Sequence, residues 1–187
     1  MNRKLNTEEI RRVSVDEYRR MAKIPLVLIL DNVRSMHNIG AVLRTADAFC
    51  IEKVVLCGIT ATPPNNEIHK SALGAEFSVC WEYSPEAQIP VRTLRDEGYR
   101  VLAVEQTQDS TPLSNLHIEG AAKYALVLGN EVSGVEQATI DLCDGSVEIP
   151  QYGTKHSLNV SVACGIVVWT FFEKLRNKRE TINCYII

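Results

Sequence analysis

The chain has 187 residues, enough for a single domain with a full core, and its composition of 45% apolar and 23% charged residues is that of an ordinary globular protein. A formal charge of −3 speaks against indiscriminate nucleic-acid binding, which favours basic domains, but leaves room for a local basic patch. No apolar run reaches the roughly 18–20 residues that cross a bilayer, and the opening MNRKLNTEEIRR lacks the apolar stretch of a secretory signal, so a cytoplasmic protein is expected.

In chain order, residues 4–22 read as a charged amphipathic helix. Thr7 is its candidate cap, and Ile10, Val13, Val15, Tyr18 and Met21 mark a loose apolar stripe. Arg11, Arg12, Arg19 and Arg20 lie on or near the other side, with Lys4 and Lys23 at the ends, either as a solvated face or as an RNA contact. From Pro25 the pattern changes. Leu26–Leu30, Lys53–Gly58, Tyr99–Val104, Tyr124–Gly129 and Ser146–Pro150 are short continuous Val/Leu/Ile-rich runs, as strands buried on both faces of a parallel sheet require, and Phe77–Cys80 is a further candidate. Between them Ile39, Val42, Leu43, Ala46, Phe49 and Cys50 keep a helical period. Segments 86–97 and 134–142 suit shorter helices, and 157–176 a long one that is apolar almost all round. This alternation predicts an α/β fold: an open, mostly parallel sheet with helices on both faces.

The six cysteines are widely spaced, with no CxxC pair, and read as buried thiols of a reducing compartment. The four histidines make no ligand spacing, so no metal site is expected. The chain lacks GxGxxG after its first strand, a P-loop and a GxSxG elbow, which removes the usual fingerprints of dinucleotide binding, nucleotide hydrolysis and serine hydrolysis.

Three segments carry polar residues that packing alone would not place there. Asn32, Arg34, His37, Asn38 and Gly40 crowd the end of the first strand, where open α/β sheets bind ligands, with Arg44 further along the helix; Asn38 is also a simple candidate cap. Leu128 and Gly129 end a buried strand, the glycine allowing close backbone approach, before Asn130, Glu131 and the Ser133-Gly134 turn. Ile149-Pro150 leads through Gly153-Thr154-Lys155-His156 into Ser157-Leu158-Asn159 at the entry of the apolar helix. Ser157 is a candidate cap there, while Asn159 and Ser161 need partners.

Taken together these segments resemble the SPOUT superfamily, specifically the TrmH-like branch of tRNA and rRNA 2′-O-ribose methyltransferases. The first motif, N-x-G-x-x-x-R-T-A, is Asn38–Ala46. The second, Gly-x-Glu-x-x-Gly, is Gly129–Gly134. The third is Ile149-Pro150 followed by Ser157-Leu158-Asn159-Val160-Ser161-Val162-Ala163. The resemblance spans about residues 26–172 and implies a deep C-terminal trefoil knot, a rare exception to unknotted topology. It divides the chain into an N-terminal charged helix extension (1–23), a SPOUT methyltransferase domain (24–177) and a short C-terminal tail (178–187). It implies S-adenosyl-L-methionine as cofactor, framed by Val104, Glu105, Leu128, Gly129, Ile149, Ser157 and Leu158. The catalytic set it implies is Arg44, Asn38, Glu131, Ser157 and Asn159, with Glu131 orienting Arg44. It implies a homodimer through the knot region and helix 157–176, and an RNA partner; the candidate RNA contacts read from the charged residues are Arg11, Arg12, Arg19, Arg20, Arg34, His37 and Lys155, with His156 beside them. Methylation of a base by the same fold, a catalytically inactive RNA-binding relative, and a small-molecule α/β protein remain open alternatives. The separate N-terminal RNA-binding domain of many relatives is absent from these residues, which leaves the particular RNA open.

Overall fold

A computed structural model describes residues 2–6, 9, 10 and 12–176. Thr7, Arg11 and the 178–187 tail lie outside the described residues. The elements follow in order: α1 (Val15–Arg20), β1 (Ile24–Asp31), α2 (Met36–Ala48), β2 (Ile51–Cys57), α3 (Asn66–Ala72), α4 (Ala75–Ser78), β3 (Trp81–Ser84), α5 (Gln88–Asp96), β4 (Tyr99–Val104), β5 (Thr111–Pro112), a 3-10 turn (Leu113–Asn115), β6 (Lys123–Leu128), α6 (Gln137–Ile140), β7 (Gly145–Glu148) and α7 (Val160–Leu175).

The strands form one sheet in the order β3-β2-β1-β6-β4-β7-β5, and every pairing between them is parallel. Alternation along the strands divides the core in two. Leu26, Leu28 and Leu30 of β1 pack with α2, α3 and α7 on one face, while Val27 and Ile29 pack with Val91 and Leu94 of α5 on the other. The continuous apolar runs thus mark strands covered on both sides. β6 inserts between β1 and β4, and β7 between β4 and β5, so the carboxyl ends of β4, β6 and β7 stand together.

Several local expectations need correction. The N-terminal helix is limited to Val15–Arg20, because Ser14 and Glu17 form a capping box that starts it there rather than near residue 4. Tyr18 is buried, its hydroxyl donating to the Ala46 carbonyl, and Arg19 donates to the Phe77 carbonyl at 2.7 Å, so this segment is docked on α2 and α4. Phe77–Cys80 is not a strand. Residues 75–78 are helical, with Ala75 buried and Phe77 exposed, and the strand begins at Trp81. The 134–142 helix shrinks to Gln137–Ile140. The long C-terminal helix starts at Val160, capped by Asn159 instead of Ser157: Asn159 Oδ1 accepts the Ser161 N–H at 2.9 Å. Likewise Ser35, not Asn38, caps α2. Cys57 and Cys164 are buried, and burial pushes both thiols up to about 12; Cys80 is exposed.

Only one face of α7 is covered. Cys164, Val167, Val168, Phe171 and Leu175 are buried, whereas Val162, Ile166 and Trp169 form an exposed stripe. Trp169 stacks on Phe172 and meets Phe49 edge-on. No helix among the described residues is long and apolar enough to cross a membrane.

Candidate active site at the carboxyl ends of the strands

The carboxyl ends of β4, β6 and β7 open into a cavity of about 510 Å³, closed by residues 129–134 on one side and 156–160 on the other. Val104, Glu105, Leu128, Gly129, Ile149, Ser157 and Leu158, the seven residues expected to frame a cofactor, all line it. The volume falls within the range of small-molecule sites, and the position is the crevice that open parallel sheets use for ligands. Among the described residues, the backbone N–H groups of Ile149 and Leu158 have no hydrogen-bond partner.

Beside the cavity a chain of side-chain hydrogen bonds joins the three polar segments. Glu131 accepts from the Arg34 and Ser35 backbone N–H groups, both at 3.0 Å, and from Asn38 Nδ2 at 2.9 Å. Asn38 is 5% exposed, and its Oδ1 accepts from Asn159 Nδ2 at 3.1 Å. Asn159 Oδ1 then takes both the Ser161 N–H and its hydroxyl. Asn159 and Ser161 thus satisfy each other and Asn38, which is why amides can sit at the entry of an apolar helix. Desolvation works against ionising Glu131, but the Arg34 N–H, the Asn38 amide and the Ser35 N–H outweigh it and hold its carboxyl below the usual glutamate range.

A second set of braces was not anticipated from the sequence. Asp31, buried at the end of β1, accepts the Glu136 N–H at 3.2 Å and Asn32 Nδ2 at 2.9 Å. Burial raises its pKa despite those donors. Asn32 sits at φ 55°, a left-handed conformation that asparagine tolerates, and its carbonyl accepts Asn130 Nδ2 at 2.7 Å. Glu105 accepts the Val135 N–H at 3.0 Å and the Gln106 N–H at 2.9 Å. The Asp-Asn pair directly after a buried strand was the available signal for this brace.

Two glycines are required by the fold itself. A Cβ on Gly40 would overlap the Ser71 hydroxyl and the Ile68 carbonyl, so this glycine sets the close approach of α2 and α3. A Cβ on Gly129 would overlap the Gly134–Val135 backbone, so here the closely approaching chain is the protein's own.

Of the five residues expected to act in chemistry, Asn38, Glu131 and Asn159 are joined, and Ser157 is exposed on the cavity wall. Arg44 stands apart. It lies eight residues beyond the first of α2, more than two turns along, exposed, outside the cavity lining and without a hydrogen bond or ion pair among the described residues. The expected Glu131–Arg44 pair is not formed: Glu131 bonds to residues 34–38 at the start of α2, and Arg44 lies further along that helix. Arg12, Arg19, Arg20, Arg34, His37 and Lys155 are all exposed. Among the described residues no cluster of His, Cys, Asp and Glu could hold a metal ion.

An all-parallel sheet with one polar-walled crevice at its carboxyl edge defines a ligand-binding α/β protein. The sequence profile of the SpoU rRNA methylase family matches residues 25–169, and the chain belongs to that family. It is 33% identical over 153 residues to a 23S rRNA (guanosine-2′-O-)-methyltransferase, RlmB, of Neisseria meningitidis, an alignment covering 82% of this chain and 60% of the relative. It is 34% identical over 156 residues to the like-named protein of Vibrio cholerae, with the same two coverages. The chain therefore spans about 60% of the length of these curated relatives. An AdoMet-bound rRNA methyltransferase of Sinorhizobium meliloti superposes with a TM-score of 0.76 at 25% identity, covering 86% of this chain and 61% of that one. A TrmH/SpoU tRNA modifying enzyme of A. aeolicus superposes equally well at 24% identity, covering 91% and 83%, and shows the shared fold.

Proposed function

We propose that this chain is an S-adenosylmethionine-dependent methyltransferase acting on a ribose 2′-hydroxyl of rRNA or tRNA. The observation that carries the reading is the cavity between Gly129–Gly134 and Ser157–Val160, flanked by the Glu131–Asn38–Asn159 chain. The residues suit the cofactor. Val104, Leu128, Ile149 and Leu158 offer apolar surface to an adenine, and the unpartnered N–H groups of Ile149 and Leu158 offer donors to its ring nitrogens. Bound there, S-adenosylmethionine supplies a methyl group on a sulfonium, already an excellent leaving group. What remains for the protein is to place the 2′-hydroxyl and assist loss of its proton.

Arg44 is a poor base, since a guanidinium holds its proton and its charge in water. Exposed and unpaired, it suits a phosphate of the RNA, which would fix the ribose beside the cavity. Asn38 and Asn159 hold the rim in register, and Ser157 reaches the reacting hydroxyl. The reading includes a homodimer closing on Val162, Ile166 and Trp169, a stripe that a monomer leaves in water. Since α2 packs on α7, that dimer is the route by which Arg44, absent from its own chain's cavity, meets one. It also includes the C-terminal knot.

The test is transfer of labelled methyl from S-adenosylmethionine to total RNA of a strain lacking the gene, followed by alkaline hydrolysis. Label in alkali-stable dinucleotides is the expected result, and label confined to mononucleotides, as base methylation would give, would overturn it. Sedimentation of the same preparation should show a dimer that Ile166→Glu dissociates.

A further inference from the structure

We propose that Tyr152 is the stacking platform for a base of the RNA substrate, at the mouth of the cavity beside which the adjoining ribose is placed. The inference rests on the methyltransferase reading above and names how that site holds its nucleotide. Tyr152 is 98% exposed, and among the described residues its ring touches no other ring and its hydroxyl has no partner. Other exposed aromatics are engaged: Trp169 stacks on Phe172, Tyr83 donates to the Gly58 carbonyl, and Phe77 packs on His69. A single exposed apolar residue is unremarkable in itself. Its position carries the argument.

Tyr152 lies in the 150–158 loop, between Gln151 and His156, which both line the cavity. The loop is held at its ends, where Ile149 packs on the core and Gln106 Nε2 donates to the His156 carbonyl at 3.0 Å. Its tip is open, with Lys155 exposed three residues on as a cation for the backbone phosphate. On the other loop Val132, 82% exposed, also lines the cavity, and its N–H is fixed by Asn130 Oδ1 at 2.8 Å. An aromatic ring and an aliphatic side chain therefore stand out of the two loops that bound one cavity.

The chemistry calls for such surfaces. A ribose 2′-hydroxyl cannot reach a methyl donor held in this cavity while its base stays stacked in a helix, so the nucleotide must be unstacked and its base given another partner. Every base has a π-face, so one tyrosine serves without fixing the base identity. The platform positions the substrate and supplies little sequence information.

The experiment measures methylation kinetics of the full chain with total RNA from a strain lacking the gene, for wild type, Tyr152→Ala, Tyr152→Phe and Tyr152→Trp. S-adenosylhomocysteine affinity and sedimentation are followed alongside. Tyr152→Ala should raise KM for RNA roughly ten- to a hundredfold, the range of alanine substitutions at stacking aromatics. S-adenosylhomocysteine affinity should be unchanged, and Tyr152→Phe and Tyr152→Trp should stay within about threefold of wild type, because the ring rather than the hydroxyl acts. An alanine variant with wild-type KM would overturn the platform, as would failure of phenylalanine to rescue or dissociation of the dimer by Tyr152→Ala. A wild-type protein that transfers no methyl to any RNA would instead sink the methyltransferase reading, and is distinguishable because no tyrosine variant enters that result.

Discussion

On one side of the cavity the chain is tied down nearly residue by residue; on the other it hangs between two anchors. Asn130 and Gly134 exchange backbone hydrogen bonds, Asn130 reaches the Asn32 carbonyl, Glu131 takes three donors from residues 34–38, Val135 is held by Glu105 and Glu136 by Asp31. Across the cavity, the only hydrogen bond reaching residues 150–158, among the described residues, is that from Gln106 to His156. Many hydrogen bonds fix the braced wall, while the open wall is held only at its ends. Such a division suits a site where one wall fixes geometry and the other admits cofactor and a polymer.

The largest effect should come from a residue that the braced side carries but does not restrain. Arg44→Ala should lower methyl transfer at least about a hundredfold, the lower end for a positioned catalytic group, while leaving S-adenosylmethionine affinity nearly intact. Single-turnover kinetics and calorimetry on the same preparation separate the two quantities. A variant keeping more than about a tenth of wild-type turnover would remove Arg44 from the centre of the mechanism.

The next effect contrasts two glycines. Gly40→Ala forces a methyl into the Ser71 hydroxyl and the Ile68 carbonyl, whereas Gly153→Ala, in the open loop, meets nothing within 4 Å. Urea unfolding should show Gly40→Ala destabilised by about 1–3 kcal/mol and Gly153→Ala within about 0.5 kcal/mol of wild type. Equal losses would mean that the α2–α3 contact at Gly40 is no tighter than the open loop around Gly153.

The same division explains what could be read from sequence. Residues whose neighbours are close in the chain, or whose burial on both faces makes a continuous apolar run, were legible: Leu26–Leu30, Tyr99–Val104 and Tyr124–Leu128 are strands as expected. Residues of the second and third motifs likewise fell around one cavity, with Asn38 of the first motif bonded beside it and Arg44 apart. Partners distant in sequence were not legible. Nothing local says that Glu131 takes the N–H groups of Arg34 and Ser35, nor that Asp31 holds Glu136, and the family resemblance had set Glu131 to orient Arg44 instead. Gly129 lines the cavity, but the close approach of the Gly134–Val135 backbone to it arrives only through the turn and was not legible. In the 66–84 region two short helices replace an expected strand, because the Asn65 cap and the left-handed Leu73 break the chain into pieces too short for any period to register. At the amino terminus the Ser14–Glu17 capping box was present in the sequence, but a continuous charged pattern drew the helix too long.

The smallest effect concerns the carboxylate at the heart of the braced wall. Glu131→Gln keeps the shape but leaves a single, weaker acceptor for the Arg34 and Ser35 N–H groups and the Asn38 amide. Because Glu131 is exposed to water, the loss at neutral pH should be about 1 kcal/mol or less. Its pH dependence is the diagnostic part. Those donors depress the Glu131 pKa in the folded protein, so its contribution is fully present above the unfolded value of about 4.3 and is lost as pH falls through the lower folded value. Wild type should therefore exceed Glu131→Gln in stability at pH 7 and at pH 5, with the gap closing below about pH 4. Asp31 shifts the other way: burial raises its pKa, so acidification relieves a buried charge there. That contribution is common to both proteins and cancels in their difference, which is why the gap between the two urea midpoints, rather than either midpoint alone, is the quantity to follow. A gap that stays constant down to pH 3, or widens, would show that the ionised Glu131 carboxylate is not what holds residues 34–38 against the second motif.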